Sequence, residues 1–303
     1  MSTSPLPNLD PATSELPRIE VPKPLSEAQV RNYVDDGFLV VPGVITRDEI
    51  NEIVADTIKL LRGGYDCPAL QPLPPELSDA EVMNSFLGLL QPHYVSPVIM
   101  DYVRHPQICG MLGQLVAAHL PFWDGSVKCM QSMIFTKPPE YPGQAWHQDE
   151  LYIPTRDHSL AGAWVALDDA TTENGCLYVI PQSHRTGYLY PQQPHERAGE
   201  WDFAPMSYGF DDSGAIPVEV KAGDVIFFNG YLLHCSFKNR SHIYRRALVN
   251  HYMSSWSILP WGGKPDDRRV EPVAGIDPYA WKGYEPLPPE GLWVRPLEQS
   301  ALQ

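Results

Sequence analysis

Between Ser126 and Ser254 the chain breaks into short runs: KCMQSMIFT (128–136), AWHQDELYI (145–153), AGAWVAL (161–167), CLYVI (176–180), VEV (218–220), DVIFF (224–228) and RRALVNHYM (245–253). The runs are rich in Val, Ile, Phe and Tyr and are separated by Gly, Pro and Asn, the spacing of a β-sandwich or barrel. The segment in front reads differently. Glu27–Asp36 predicts a short helix that Gly37 stops, and Phe38–Ile45 (FLVVPGVI) predicts a strand. Thr46-Arg-Asp-Glu49 is a capping box, behind which Ile50, Ile53, Val54, Ile58 and Leu61 recur at helical spacing until Gly63-Gly64. Ser78-Asp-Ala-Glu81 is a second capping box and predicts a helix to about Leu90. Residues 95–119 predict one or two more, with a boundary near His105-Pro106. Helices in front of a β-sandwich, in one domain, is the expected architecture.

Proline supports that division. Of 303 residues 32 are proline, about twice the ~5% of average usage, which excludes a mostly helical bundle. Six fall in residues 1–24, which read as a flexible, polyproline-like arm. More fall in the tail from Pro260, a proline- and tryptophan-containing extension expected to pack over something. The longest proline-free stretch is 218–259, as central strands require, because each must donate its backbone N–H to the ladder.

The charge of 22 basic against 37 acidic side chains, net −15, repels phosphate backbones and anionic lipid, so neither nucleic acid nor a membrane surface is expected as a partner. Apolar runs such as Ala163–Leu167 and Val225–Phe228 are far too short to span a membrane. Five cysteines (Cys67, Cys109, Cys129, Cys176, Cys235) form no CxxC pair. With no basic or apolar leader at the start, they favour a reducing, cytoplasmic setting. The sequence sets no oligomeric state.

Chemistry is carried by His147-Gln-Asp149, where residues i and i+2 of a strand project from one face. Alone, such a pair also arises as a surface hydrogen bond or cap. A second histidine, His234, follows the apolar strand of Gly223-Asp-Val-Ile-Phe-Phe-Asn-Gly-Tyr-Leu-Leu-His234. Together the three fit a facial triad for non-haem iron(II), two neutral imidazoles and one carboxylate with open positions opposite. Such a centre stays cationic and favours an anionic co-substrate. An arginine on the next strand, Arg245 or Arg246, could hold a far carboxylate with two parallel hydrogen bonds. The two point to opposite faces, and spacing does not choose between them.

Trp146-His-Gln-Asp-Glu-Leu-Tyr152, residues 163–187 (AWVALDDATTENGCLYVIPQSHRTG), Gly223-Asp224, His234-Cys-Ser236, Asn239-Arg-Ser241 and Arg245-Arg-Ala-Leu248 together resemble the phytanoyl-CoA dioxygenase family of iron(II)/2-oxoglutarate oxygenases. The likeness is strong from about 128 to 254 and weak through the N-terminal helices. It implies a mainly β fold with flanking helices around a double-stranded β-helix (jelly roll, cupin-like). His147, Asp149 and His234 match the iron ligands. The cofactors implied are iron(II), 2-oxoglutarate as co-substrate, and dioxygen. By the same likeness Arg245 is the 2-oxoglutarate arginine, with Ser236 beside the same carboxylate. Gln131, Met133, Trp164 and Tyr152 resemble residues around the co-substrate.

One oxygenase domain is expected over 25–303, with a helical part to 120, the jelly roll over 121–255 and an extension over 256–303. The reaction implied is oxidation, most simply hydroxylation, of a C–H bond in a small, largely apolar molecule, releasing succinate and CO₂. Desaturation, epoxidation, rearrangement, or an acyl-CoA substrate are the alternatives, and a non-catalytic ligand-binding jelly roll stands furthest off.

Three details qualify the resemblance. The family's Pro-Gly-Ser-His turn is here Pro181-Gln-Ser-His184, which suggests a somewhat different turn, since glycine tolerates positive φ. Residues 63–127 contain no lysine, so a pocket lysine from the helical region is not expected. Asp149 keeps the carboxylate that halogenating relatives lack. Candidate substrate walls are the loop after Tyr152, the insertion Tyr188–Phe210, and the tail with Trp256, Trp261, Trp281 and Trp293. Arg268-Arg269 is the one compact basic pair that could meet CoA phosphates.

Overall fold

The computed structural model describes residues 18–197, 199–257, 270–278 and 292–296. Helix α1 (Glu27–Asp36) opens on Ser26, whose hydroxyl and backbone complete a capping box with Gln29, and it closes at Gly37 in the left-handed region. Strand β1 (Phe38–Val41) ends early because Pro42-Gly43 turns the chain, so only half of the expected strand forms. Helix α2 (Arg47–Leu61) uses the Thr46–Glu49 box and buries Ile50, Ile53, Leu60 and Leu61 along one face.

The second box caps only a short α3 (Asp79–Met83), and the rest of the expected helix is strand β2 (Phe86–Leu90). Gly88 weakens a helix there, and as a strand residue it pairs with Phe135 and accepts that ring against its face. Helices α4 (Pro97–Val103) and α5 (Pro106–Leu115) divide at His105-Pro106 as expected.

The β region comprises β3 (Val127–Lys137), β4 (Ala161–Ala166), β5 (Leu177–Val179), β6 (Gln192–Gln193), β7 (Met206–Ser207), β8 (Ile216–Val218), β9 (Val225–Asn229), β10 (His234–Ser236), β11 (Arg245–Ser254), β12 (Glu271–Ala274) and β13 (Trp293–Pro296). Among the described residues, with β1 and β2, they form a sheet of eight strands, seven in the order β1-β9-β4-β11-β3-β2-β13 and β12 as the eighth, paired with β3, besides a three-stranded sheet β10-β5-β8 and the ribbon β6-β7. All these strand pairings are antiparallel. The outer edge of β3 is covered in two halves, by β2 at Met133–Phe135 and by β12 at Val127–Cys129. The tail therefore adds strands to the large sheet. Trp261, Trp281 and Arg268-Arg269 lie outside the described residues, as do residues 1–17 of the arm.

Side chains alternate across the large sheet as the pleat requires. Ala161, Ala163 and Val165 of β4 and Val225 and Phe227 of β9 face the helices, in a core with Ile53, Leu60, Ile99 and Leu112. Trp164, Ala166, Ile226, Phe228 and Val249 face the small sheet, packing on Val179 and Val218. The jelly roll is thus a two-sheet sandwich with helices on its outer face, and the space between its sheets holds the cavity described next.

Candidate functional site

A cavity of about 400 Å³ opens between the sheets, and it is bordered by every residue that the sequence offered as a metal or co-substrate contact except Arg246: Gln131, Met133, His147, Asp149, Tyr152, Trp164, His234, Ser236 and Arg245. The large sheet supplies one wall by register. Lys137 lies opposite Arg245, Met133 opposite Val249 and Gln131 opposite His251, while Trp164 flanks Val249 from β4. Gly162 pairs with Phe228, and a Cβ there would collide with the Phe228 ring, which instead reaches His234 with ring centroids 5.0 Å apart.

The small sheet supplies the metal end. Residues 145–153 do not form the expected regular strand. His147 makes a single antiparallel bridge to His234, with backbone hydrogen bonds of 3.0 and 3.1 Å, and Asp149 begins a 3-10 turn, Asp149–Leu151. The extended residue followed by a tight turn brings imidazole and carboxylate together as the i, i+2 arithmetic anticipated, by another route. Each histidine Nδ1 donates to a carbonyl two residues back, His147 to Ala145 at 2.8 Å and His234 to Leu232 at 3.0 Å. The Nε2 lone pairs are thereby left free and converge, 3.5 and 3.7 Å from Asp149 Oδ1. The three donor atoms lie within 4.8 Å of one another. This is the donor set and spacing of a two-histidine, one-carboxylate metal centre.

Electrostatics favour that use. Burial, with His234 beside it, pulls His147 down to about 4, so its imidazole is neutral at physiological pH. Burial alone would raise Asp149, but the adjacent His234 and the His251 hydrogen bond outweigh it and hold the carboxyl below its usual range. His251 Nε2 donates to Asp149 Oδ2 at 2.8 Å, orienting the carboxylate from the opposite wall. Gln148, between the ligands, points away and ties Tyr188, Tyr190 and Tyr231 together through backbone hydrogen bonds of 2.7 to 3.0 Å.

At the far end Arg245 is 6% exposed and Arg246 is not in the cavity. Arg246 pairs with Asp168 through two hydrogen bonds of 2.7 and 2.8 Å, so the structure separates the two arginines. Arg245 lies over the Trp164 ring at 5.4 Å, and its buried Nε has no partner. Burial draws its guanidinium down to about 10, still charged at neutral pH. An orphaned donor on a buried cation fits an anionic ligand. Tyr152 is half exposed at the rim, where its hydroxyl accepts from Gln192 Nε2 at 2.7 Å.

Sequence reasoning missed Lys137 and His251. Both follow from a strand's period of two: Gln131, Met133, Phe135 and Lys137 share one face of β3, and Arg245, Ala247, Val249 and His251 share one face of β11. The helical region indeed sends no lysine. One comes instead from β3. Gln182 takes φ +68 itself, so the turn keeps a left-handed residue without glycine, anchored by its N–H to Asp36 O at 2.9 Å. Trp256 and Trp293 are about half exposed and do not border the cavity, whereas Asp202 of the insertion and Arg295 of β13 do.

Fold and site together define a double-stranded β-helix protein with a candidate non-haem metal centre. The chain belongs to the phytanoyl-CoA dioxygenase (PhyH) family, whose sequence profile matches residues 33–247. It is 36% identical to phytanoyl-CoA dioxygenase 1 of Oryza sativa subsp. japonica over 137 residues, covering 44% of this chain and about half (48%) of that protein. It is 27% identical over 245 residues to the peroxisomal phytanoyl-CoA dioxygenase of Rattus norvegicus, covering 76% of this chain and 69% of that one. The fold is similar to that of SnoN, an epimerase solved with Fe3+, alpha ketoglutarate and nogalamycin RO, with TM-score 0.58, 19% identity, and coverage of 82% and 94% of the two chains. Among the described residues, no helix is long and apolar enough to cross a membrane.

Proposed function

We propose that the protein is an iron(II)/2-oxoglutarate-dependent dioxygenase that oxidises a C–H bond of a small, largely apolar organic molecule. The observation that carries this is one cavity with a converging His147–Asp149–His234 donor set at one end and a buried, unpartnered arginine at the other. Iron(II) held by the triad would supply dioxygen activation coupled to oxidation of 2-oxoglutarate to succinate and CO₂.

The chain's own residues bind, orient and exclude water. Arg245 and Ser236 take the far carboxylate of the co-substrate. Trp164, Met133 and Gln131 line the same face of the large sheet and fix the plane in which it lies. Phe228 and Ile153 keep the reacting end dry, and Tyr152 stands at the rim where substrate enters.

The substrate reading rests on the walls, which are mostly apolar. Among the described residues the partly exposed cation that lines the cavity, Arg295, stands 3.8 Å from Asp202, an arrangement poor for the phosphates of an acyl-CoA. The name shared by the relatives is the argument for the acyl-CoA alternative. We further read residues 25–303 as one domain, since β12 and β13 pair inside the large sheet. A cytoplasmic setting agrees with five free, buried cysteines.

The test is anaerobic titration with iron(II) and 2-oxoglutarate, followed by a substrate screen. Bidentate chelation gives a weak visible charge-transfer band, and its absence refutes the reading. Succinate release then ranks free acids, neutral small molecules and acyl-CoA thioesters. Product mass separates hydroxylation (one added oxygen) from desaturation (two hydrogens lost) and rearrangement (unchanged).

A further inference from the structure

Lys137 closes β3 directly opposite Arg245 on β11, and both side chains are buried, each 6% exposed. Like charges facing each other across a ladder destabilise it, and burial adds a desolvation cost to each. Neither cation is hydrogen-bonded to a carboxylate. The Lys137 ammonium donates to Ser236 Oγ at 2.8 Å, to Phe237 O at 2.8 Å and to Gly175 O at 3.3 Å, all neutral acceptors. Asp168 is engaged by Arg246, and Asp202, 3.8 Å from Arg295, acts on Lys137 through its charge without a hydrogen bond to it. The strand end is held in place, because Asn239 Nδ2 donates to the Lys137 carbonyl at 3.1 Å. Burial, with Arg245 opposite, pulls the Lys137 ammonium well below its usual range, and an anion bound beside the two groups would relieve both.

Ser236 shows how the anion is read. A hydroxyl has one proton to donate and two acceptor positions. Ser236 Oγ accepts from Lys137 Nζ at 2.8 Å and from the Gln144 backbone N–H at 3.2 Å. Both acceptor positions are filled, so the remaining proton has to be given away, and Ser236 borders the cavity beside Arg245. Gly143 permits this closeness, since a Cβ there would collide with the Ser236 carbonyl.

We propose that Lys137 is a positioning residue for the far carboxylate of 2-oxoglutarate. With the Gln144 amide it makes Ser236 a donor only, and with Arg245 it sets two positive charges around a group that can only accept. The inference rests on the function proposed above and adds a residue to it.

The test is an anaerobic titration of the iron(II)-loaded full chain, read by the charge-transfer band, with 2-oxoglutarate and with 2-oxobutyrate. The latter has the same chelating head and no far carboxylate. Lys137→Met keeps most of the stem and removes the donor. It should weaken 2-oxoglutarate about tenfold to a hundredfold, the range for hydrogen bonds to charged groups, and leave 2-oxobutyrate within about twofold of the unaltered protein. Ser236→Ala should cost less in the Lys137→Met background than alone, because the two act through one proton.

Unchanged 2-oxoglutarate affinity in Lys137→Met overturns the proposal. So does a proportional loss of both keto acids, which is what a merely structural role gives. Should Lys137→Met not fold, the unaltered protein still decides: the 5-methyl ester of 2-oxoglutarate should bind about a hundredfold more weakly than the acid, and equal binding overturns the anchor. An unaltered protein that gives no band with either keto acid removes the functional reading and this proposal with it. A normal band that Lys137→Met leaves untouched removes this proposal alone.

Discussion

The two walls of the cavity are built in different ways. The large sheet sets Lys137 against Arg245 and Gln131 against His251 through long strands, ten residues in β11 and eleven in β3, with the positions multiply determined by ladder hydrogen bonds. The small sheet has strands of three residues, and its metal-binding end depends on one bridge, a 3-10 turn and two imidazole-to-carbonyl hydrogen bonds. Register anchors the co-substrate end, and local hooks aim the metal end. A long ladder tolerates a lost side chain because its neighbours keep the backbone in place. A converging donor set does not, because each member supplies a bond that nothing else replaces.

The largest effect is therefore expected on the small-sheet side. Asp149→Ala should abolish both iron retention and substrate-stimulated succinate formation, as should His147→Ala, while the far-carboxylate wall stays intact. Metal analysis alongside a succinate assay checks this. Iron retained with full turnover in either variant breaks the contrast at its root.

Next comes the opposite wall. Arg245→Gln removes the buried charge and should raise the 2-oxoglutarate KM about tenfold to a hundredfold, with iron content unchanged. Steady-state kinetics at varied 2-oxoglutarate measures it. Iron loss in this variant would show that the walls are not separable.

His251 joins the two, because it stands on the ladder and touches Asp149 on the metal side. His251→Phe should weaken iron affinity about tenfold to a hundredfold, the usual cost of losing a group that orients a ligand, while keeping the preference for 2-oxoglutarate over 2-oxobutyrate. Competition against a chelator reads the first quantity and the charge-transfer titration the second.

The same contrast explains what was legible in the sequence. Where register sets position, period-two counting suffices: it placed Gln131 with Met133, and it reaches Lys137 four residues past Met133 and His251 six residues past Arg245. Where local geometry sets position, it misleads. Residues 145–153 look like a strand and are a bridge followed by a turn, and Phe86–Leu90 sits behind a capping box yet forms a strand because β3 needs a neighbour at Met133–Phe135. Propensity acts over a few residues, while the partner lies some forty-five positions away and wins by burying Leu89 and Phe86. Arg245 against Arg246 was not decided by spacing for a related reason. Alternation says that one of them faces in, but which one depends on Asp168, delivered just past the end of β4 to meet Arg246.

The smallest expected effect lies outside both walls and serves as their control. Thr46 caps α2 on the outer face of the large sheet. Its hydroxyl and backbone N–H both donate to Glu49 at 2.7 Å, and the Glu49 N–H returns a bond at 3.3 Å. The backbone hydrogen bond from Thr46 leads the causes that hold Glu49 below its usual value of 4.5, burial opposes it, and hydrogen bonds from the Thr46 hydroxyl and His105 add to the lowering. A carboxylate with a depressed folded pKa stabilises the fold above its unfolded pKa and loses that contribution as pH falls through the folded value. Thr46→Ala should therefore lower stability by about 1 kcal/mol at neutral pH, and by less at an acidic pH below the lowered Glu49 value, where the carboxyl is protonated. Denaturation at the two pH values measures it. Because no residue of α2 borders the cavity, iron affinity and 2-oxoglutarate affinity should both stay at the unaltered level. A shift in either would mean that the outer helices feed strain through the ladder, and that the large sheet is less rigid than its register implies.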